Sequence, residues 1–215
     1  MTIKTILFDL DGTLINTNDL ILASFQHTLS SFYPGRYSEQ DIVGFIGEPL
    51  EETFNKIDEA RTEELITAYR KHNHAYHDEL VKEYEGVYET VRSLYEQGYK
   101  LGIVTTKIRE TTDKGLTLTH LAPFFETVVT YDDVENAKPD AEPLNKAMAA
   151  LGGTPSSTLM IGDSQYDIMA GKNAGTRTAG VSWTIKGKSF LSSYEPDAML
   201  DTMPDLLDML GVKVP

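Results

Sequence analysis

The sequence predicts an α/β fold: a parallel sheet core with helices on both faces and an inserted helical cap. Three observations carry this prediction. Short, uniformly apolar runs recur along the chain, as expected of strands buried on both faces. Between them lie amphipathic stretches that close on glycine, so strand and helix alternate. One long segment near the start breaks the alternation with helical patterns alone.

In chain order, "TILFD" (5–9) is the first strand, apolar and partly β-branched. Residues 15–82 hold no convincing strand. "NTNDLILASFQHTLSSFY" (16–33) opens on capping residues and sets Leu20, Ile21, Phe25, Leu29 and Phe32 on one face. "SEQDIVGFI", "PLEETFNKI" and "EARTEELITAYRKHNHAYHDEL" follow as further amphipathic pieces of a bundle. "VYETVRSLYEQG" (87–98) has Val87, Val91, Leu94 and Tyr95 at helical spacing. "KLGIVTT", "TVVTY", "TLMIGD" and "TRTAGVSW" read as strands, "DAMLD" as a weaker one, and "EPLNKAMAALGG" and "QYDIMAGKNAG" as helices between them. The expected organisation is an α/β core from 1–14 and 83–215 with a helical cap at 15–82. A bundle inserted after the first strand lies over the carboxyl edge of the sheet, where open α/β sheets bind ligands.

The composition sets bounds on partners. With 215 residues and 40% hydrophobic content, the chain can build one large core. A formal net charge of -14 excludes a general nucleic-acid or acidic-membrane surface, so an anionic substrate needs a local positive site. There is no cysteine, hence no disulfide or thiolate chemistry, which fits a cytoplasmic protein. No segment has the roughly 18 apolar residues of a membrane span.

In "ILFDLDGTL" (6–14), two carboxylates, Asp9 and Asp11, stand two residues apart at the end of a strand. Alternate strand residues share a side, so the like charges repel unless a cation or a shared proton offsets them. A calcium loop starting at Asp9 would need Gly at position 14 and Glu at position 20, and both are Leu. A hairpin at Asp11-Gly12 would need an alternating strand next, and residues 16–33 are helical in pattern. The other strand ends also carry polar groups: Thr105, Thr106 and Lys107; Lys138 in "AKPD"; Asp163, Ser164 and Asp167 in "GDSQYD". In a parallel sheet all of them gather at one edge.

"DLDGT", "VTT", "AKP" and "GDSQYD" resemble, in this order, the four motifs of the haloacid dehalogenase superfamily. The resemblance implies a Rossmann-like core and phosphoryl transfer through an aspartyl-phosphate. Asp9 is then the nucleophile and Asp11 the general acid and later base. Thr105 bonds the phosphoryl group and Lys138 neutralises charge. Mg²⁺ is held by Asp9, the backbone carbonyl of Asp11 and Asp163, with Asp167 in support. Hard oxygen ligands suit Mg²⁺, and a carboxylate attacking an anionic phosphorus needs charge cancelled by metal, Lys138 and backbone N–H groups around Gly12. The second acid at position 11 favours attack on phosphorus over attack on carbon.

The substrate is less legible. The turn "GFIGEPLEE" between cap helices is the expected reading loop, with Gly47 and Glu48 beside Gly12, Thr13, Thr106 and Lys107 as substrate contacts; Arg36 and Lys56 are further candidate cations. Whole-chain likeness is to bacterial inorganic pyrophosphatases linked to dephosphorylation of the HPr carrier protein, with phosphoglycolate phosphatases as siblings. The expected ligand is pyrophosphate or a small phosphorylated molecule, in a monomer with neither nucleic-acid nor membrane partners. A sugar phosphomutase shares every core motif. A phospho-aspartate receiver module has neither the insert nor this placement of acids. His72, His74 and His77 read as a polar helix face, Trp183 as core, Lys186 and Lys188 as a solvated loop, and "MPDLLDMLG" as a last helix packed on the sheet.

Overall fold

The computed structural model describes residues 2–212. Six parallel strands form one sheet: β1 (Thr5–Phe8), β4 (Lys100–Val104), β5 (Thr127–Val129), β6 (Thr158–Gly162), β7 (Arg177–Val181) and β8 (Ala198–Leu200), in the order β5-β4-β1-β6-β7-β8. The first strand is therefore central: the chain lays β4 and β5 outward on one side of it, then returns to lay β6, β7 and β8 on the other. This topological switch opens a crevice beyond the carboxyl end of β1. Register fixes what stands there. Phe8 pairs with Ile103 on one side and Ile161 on the other.

Both faces of the sheet are covered, which explains the uninterrupted apolar runs. Ile6, Phe8, Leu101, Ile103 and Ile161 face one core with Val87, Val91 and Leu94 of α5 (Val87–Glu96) and Leu206 of α10 (Asp205–Leu210). Leu7, Val104 and Met160 face the other, with Leu144 and Met148 of α7 (Glu142–Leu151) and Ala170 of α8 (Gln165–Asn173). The terminal Met203 and Leu207 are buried on the sheet. Tyr95 departs from the expected stripe of α5: it is exposed and touches Phe124 edge-on, while Thr90 takes the buried place.

Between β1 and α5 lie four α-helices, α1 (Asn18–Phe32), α2 (Glu39–Phe45), α3 (Leu50–Asp58) and α4 (Thr62–Leu80). They share a separate apolar cluster of Phe25, Leu29, Ile42, Phe54, Leu65 and Tyr69. A Ser38–Asp41 capping box starts α2, with Asp41 accepting from the Ser38 amide at 2.8 Å. The sequence showed no strand in this region, yet β2 (Ile15–Asn16) pairs antiparallel with β3 (Lys82–Glu83). Two residues are too few for an alternation to register, and this ribbon is where the chain leaves and re-enters the core. No helix of the described residues is long and apolar enough to cross a membrane.

Candidate active site

Each motif residue stands just past the end of a buried strand. Asp9 follows the last residue of β1, Thr105 follows β4 and Asp163 follows β6, so parallel register brings them level. The amide of Asp9 donates to Ile161 O at 2.8 Å and that of Thr105 to Val129 O at 3.0 Å, extending the ladder under the site. Asp9, Thr105, Lys138 and Asp163 are buried, and all four line one cavity with Asp11, Thr106, Lys107, Gly47 and Glu48.

Lys138 is the pivot. Its ammonium donates to Asp9 Oδ1 (2.7 Å), Asp167 Oδ1 (2.6 Å) and Val104 O (2.8 Å), which uses all three of its N–H groups. Burial alone opposes its charge, but Asp167 and Asp9 outweigh that and hold its pKa above the usual lysine value. Asp167 is fully buried, and its second oxygen accepts from the Ser164 amide (3.0 Å) and hydroxyl (2.7 Å), closing a capping box that starts α8. Asp167 thus fixes both the lysine and the loop carrying Asp163.

The remaining carboxylates are less satisfied. One oxygen each from Asp9, Asp163 and Asp167 lie within 4.8 Å of one another. Burial, then the charges of Asp9 and Asp167, push the Asp163 carboxyl well above its ordinary value against the weaker pull of Lys138 and Lys186, and among the described residues it accepts no hydrogen bond. Burial likewise pushes Asp9 up to about 7 against the pull of Lys138, with Asp167 and Asp11 adding to the rise. Two buried carboxylates short of donors, in an all-oxygen setting beside an open cavity, suit a hard divalent cation. Gly12 makes the approach possible: its φ is +76°, and a Cβ there would lie 2.4 Å from Asp163 Oδ2.

Several expectations need correction. β1 ends at Phe8, so Asp9 and Asp11 do not share a strand face; Asp11 sits in the following turn, bridged to Ile15. Its carboxylate pairs with Lys107 at 2.8 Å and stays outside the acidic trio. The Gly12 N–H is committed to Ile15 O at 2.8 Å and does not face an anion. Neither Gly12 nor Thr13 lines the cavity; Thr13 is fully buried with its hydroxyl unpartnered. Arg36 lies over the rings of Tyr33 and Tyr37, and Lys56 is paired with Glu48, so neither lines the cavity. His77 is no part of a polar face: it is wholly buried, its Nδ1–H donates to Asp78 Oδ1 at 2.9 Å, and burial pulls its pKa down. Lys186 is not a solvated loop residue either, since it donates to Gln165 Oε1 at 3.1 Å and Gly44 O at 3.4 Å. Trp183 packs on the core beside Tyr84.

The helices between β2 and β3 close the cavity with residues the motifs do not announce. Thr106 donates to Gly47 O (3.4 Å) and Tyr131 to Glu51 (3.3 Å), joining core to insert. Ile21, Phe25, Phe45, Ile46 and Leu50 form an apolar wall, and Tyr69, Arg70 and Asn73 of α4 complete it. A signal for α4 was present. Leu65, Tyr69, Asn73 and His77 recur every four residues and are all buried, so one stripe turns from apolar to polar as it passes over the site.

The sequence matches the haloacid dehalogenase-like hydrolase family over residues 6–181. It is 61% identical over 212 residues to Pyrophosphatase PpaX of Anoxybacillus flavithermus, covering 99% of each chain. A Bacteroides fragilis structure described as a haloacid dehalogenase-like hydrolase superposes with a TM-score of 0.88 at 27% identity, over 95% of this chain and 100% of that one. A Haemophilus somnus structure described as a predicted phosphoglycolate phosphatase gives 0.82 at 25% identity, over 97% and 98%.

Proposed function

The chain belongs to the haloacid dehalogenase-like hydrolase family, and from that premise we propose that it hydrolyses inorganic pyrophosphate to two phosphates, with a phosphoryl group carried on Asp9. The substrate rests on the 61% identity to a pyrophosphatase along the whole chain. The observation that carries the chemistry is the buried, donor-poor pair Asp9 and Asp163 beside Lys138.

In the proposed reaction an Asp9 carboxylate oxygen attacks phosphorus as the bond to the bridging oxygen breaks. Asp11 gives that oxygen its proton, and the departing phosphate leaves. Asp11 then takes a proton from water, whose oxygen bonds phosphorus as the Asp9–phosphorus bond breaks and the carboxylate is restored. Lys138 balances the charge of Asp9 throughout, and the Thr105 hydroxyl, at the cavity wall, donates to the phosphoryl oxygens. Asp9, Asp163 and the backbone carbonyl of Asp11, supported by Asp167, would hold Mg²⁺, which supplies positive charge to nucleophile and phosphate when bound. Lys107 needs to exchange Asp11 for substrate, and that exchange frees Asp11 to carry a proton. A cytoplasmic setting, where biosynthesis releases pyrophosphate, fits this reading.

Phosphate release from pyrophosphate, phosphoglycolate and hexose phosphates tests it. Pyrophosphate is expected to give the highest kcat/KM, with activity lost in EDTA and restored by Mg²⁺. A preference for phosphoglycolate would move the chain to the monoester phosphatases, while isomerisation of a sugar phosphate without phosphate release would identify a mutase.

A further inference from the structure

Three cations line the cavity, and their commitments differ. Lys138 spends every N–H within the protein. Lys107 spends one on Asp11 and keeps the others. Arg70 has no ion-pair or hydrogen-bond partner among the described residues, although the chain carries 33 acidic side chains against 19 Lys and Arg. A guanidinium left unpaired in so acidic a protein, at the wall of a cavity, is available to an incoming anion.

Its surroundings narrow what that anion is. Most of the insert's side of the cavity is apolar, from Ile21, Phe25, Phe45, Ile46 and Leu50, and its acids Glu48 and Glu51 repel negative charge. On that side only Arg70 and Asn73, one helical turn apart on α4, offer N–H donors from their side chains. Tyr69, Arg70 and Asn73 line the same cavity as the Asp11–Lys107 pair, whose ends are 2.8 Å apart. Charge at Asp9 is already met by Lys138. Donors on the insert's wall of the cavity are left for the group that departs, and an uncharged leaving group has no use for a guanidinium fork.

We propose that Arg70, with Asn73 and Lys107, binds the departing phosphoryl group and so makes the site selective for a diphosphate over a simple monoester. This rests on the pyrophosphatase reading and names the residues that would enforce it. Arg70 reads the second phosphate bidentately, Lys107 turns to it from Asp11, and Asn73 adds one neutral donor.

The test compares pyrophosphate with p-nitrophenyl phosphate, whose leaving group lacks a phosphate, in the parent protein and in Arg70→Gln and Arg70→Lys. For Arg70→Gln the ratio of the two kcat/KM values is expected to fall at least about 30-fold, mostly through KM for pyrophosphate, because a charged contact at the cavity wall is lost for one substrate only. Arg70→Lys, which keeps the charge and loses the fork, should recover part of that ratio. Imidodiphosphate binding, measured by calorimetry with Mg²⁺ present, should weaken at least about tenfold in Arg70→Gln. An unchanged ratio with unchanged imidodiphosphate affinity, or an equal fall for both substrates, would overturn the assignment. A parent protein that releases phosphate from p-nitrophenyl phosphate and not from pyrophosphate would instead refute the substrate reading on which it rests. Thermal melts of both variants confirm that folded protein is compared.

Discussion

Asp9→Asn is expected to lower pyrophosphate turnover by on the order of 10⁴-fold or more, the scale on which removal of a covalent nucleophile acts, while the metal-free variant melts a few degrees above the parent. The two effects share one cause. Asp9 is buried next to Asp11, Asp163 and Asp167, and its carboxyl sits at about 7. Between its ordinary value of 3.8 and about 7, the folded chain holds a proton that the unfolded chain has lost. Stability of the metal-free parent therefore falls as pH rises through that window, and the fall ends above it. An amide carries no such charge, so the melting temperature of Asp9→Asn should depend less on pH over the same range. Melts in EDTA from pH 5 to 8, beside steady-state rates at saturating Mg²⁺, check both halves. A variant that is inactive and also less stable than the parent would mean that Asp9 supports the fold more than it strains it.

Lys138→Met should cost both the reaction and the fold. The lysine sits between two buried carboxylates at 2.7 and 2.6 Å, with a third, Asp163, close by. Removing one partner of a buried ion pair typically costs about 3–5 kcal/mol, because the charge left behind has no solvent. For a chain of this size, about 3 kcal/mol lowers the melting temperature by roughly 6–12 °C. Methionine matches the length of the stem and leaves no large cavity, so the loss reports charge more than packing. Without the cation, Asp9 holds its proton to still higher pH when folded. The deficit should therefore be smallest near pH 5 and grow towards pH 8. Turnover is expected to fall by about 10³-fold, as for loss of a group that stabilises developing charge. A melt within about 2 °C of the parent at pH 8 would show that the acids find another cation.

How much of this was legible in the sequence depended on how local each determinant is. The strands β1, β4 and β6 are apolar on both faces, and the residue after each is polar, so Asp9, Thr105 and Asp163 were readable as neighbours once the sheet was known to be parallel. Lys138 lies outside any strand, and only motif order suggested its place. The Lys107–Asp11 pair joins residues 96 apart in sequence, and no periodicity encodes it. The ribbon of Ile15–Asn16 with Lys82–Glu83 was invisible because two residues carry no pattern. On α4 the pattern was present and misread: His77 looked polar in one dimension, yet it shares a face with Leu65, Tyr69 and Asn73 and is wholly buried. Arg70 was passed over because a single exposed arginine on a helix is ordinary. Its meaning comes from the wall it completes and from the partner it lacks.

The central claim is that Asp9 captures phosphorus covalently. Rapid mixing of the Mg²⁺-loaded protein with ³²P-labelled pyrophosphate, acid quenching within the first turnover, and peptide mapping test it most directly. The account predicts label on the peptide containing Asp9, stable in acid and released by hydroxylamine, and absent from Asp9→Asn. Full-rate turnover with no label on that peptide at any quench time would contradict it.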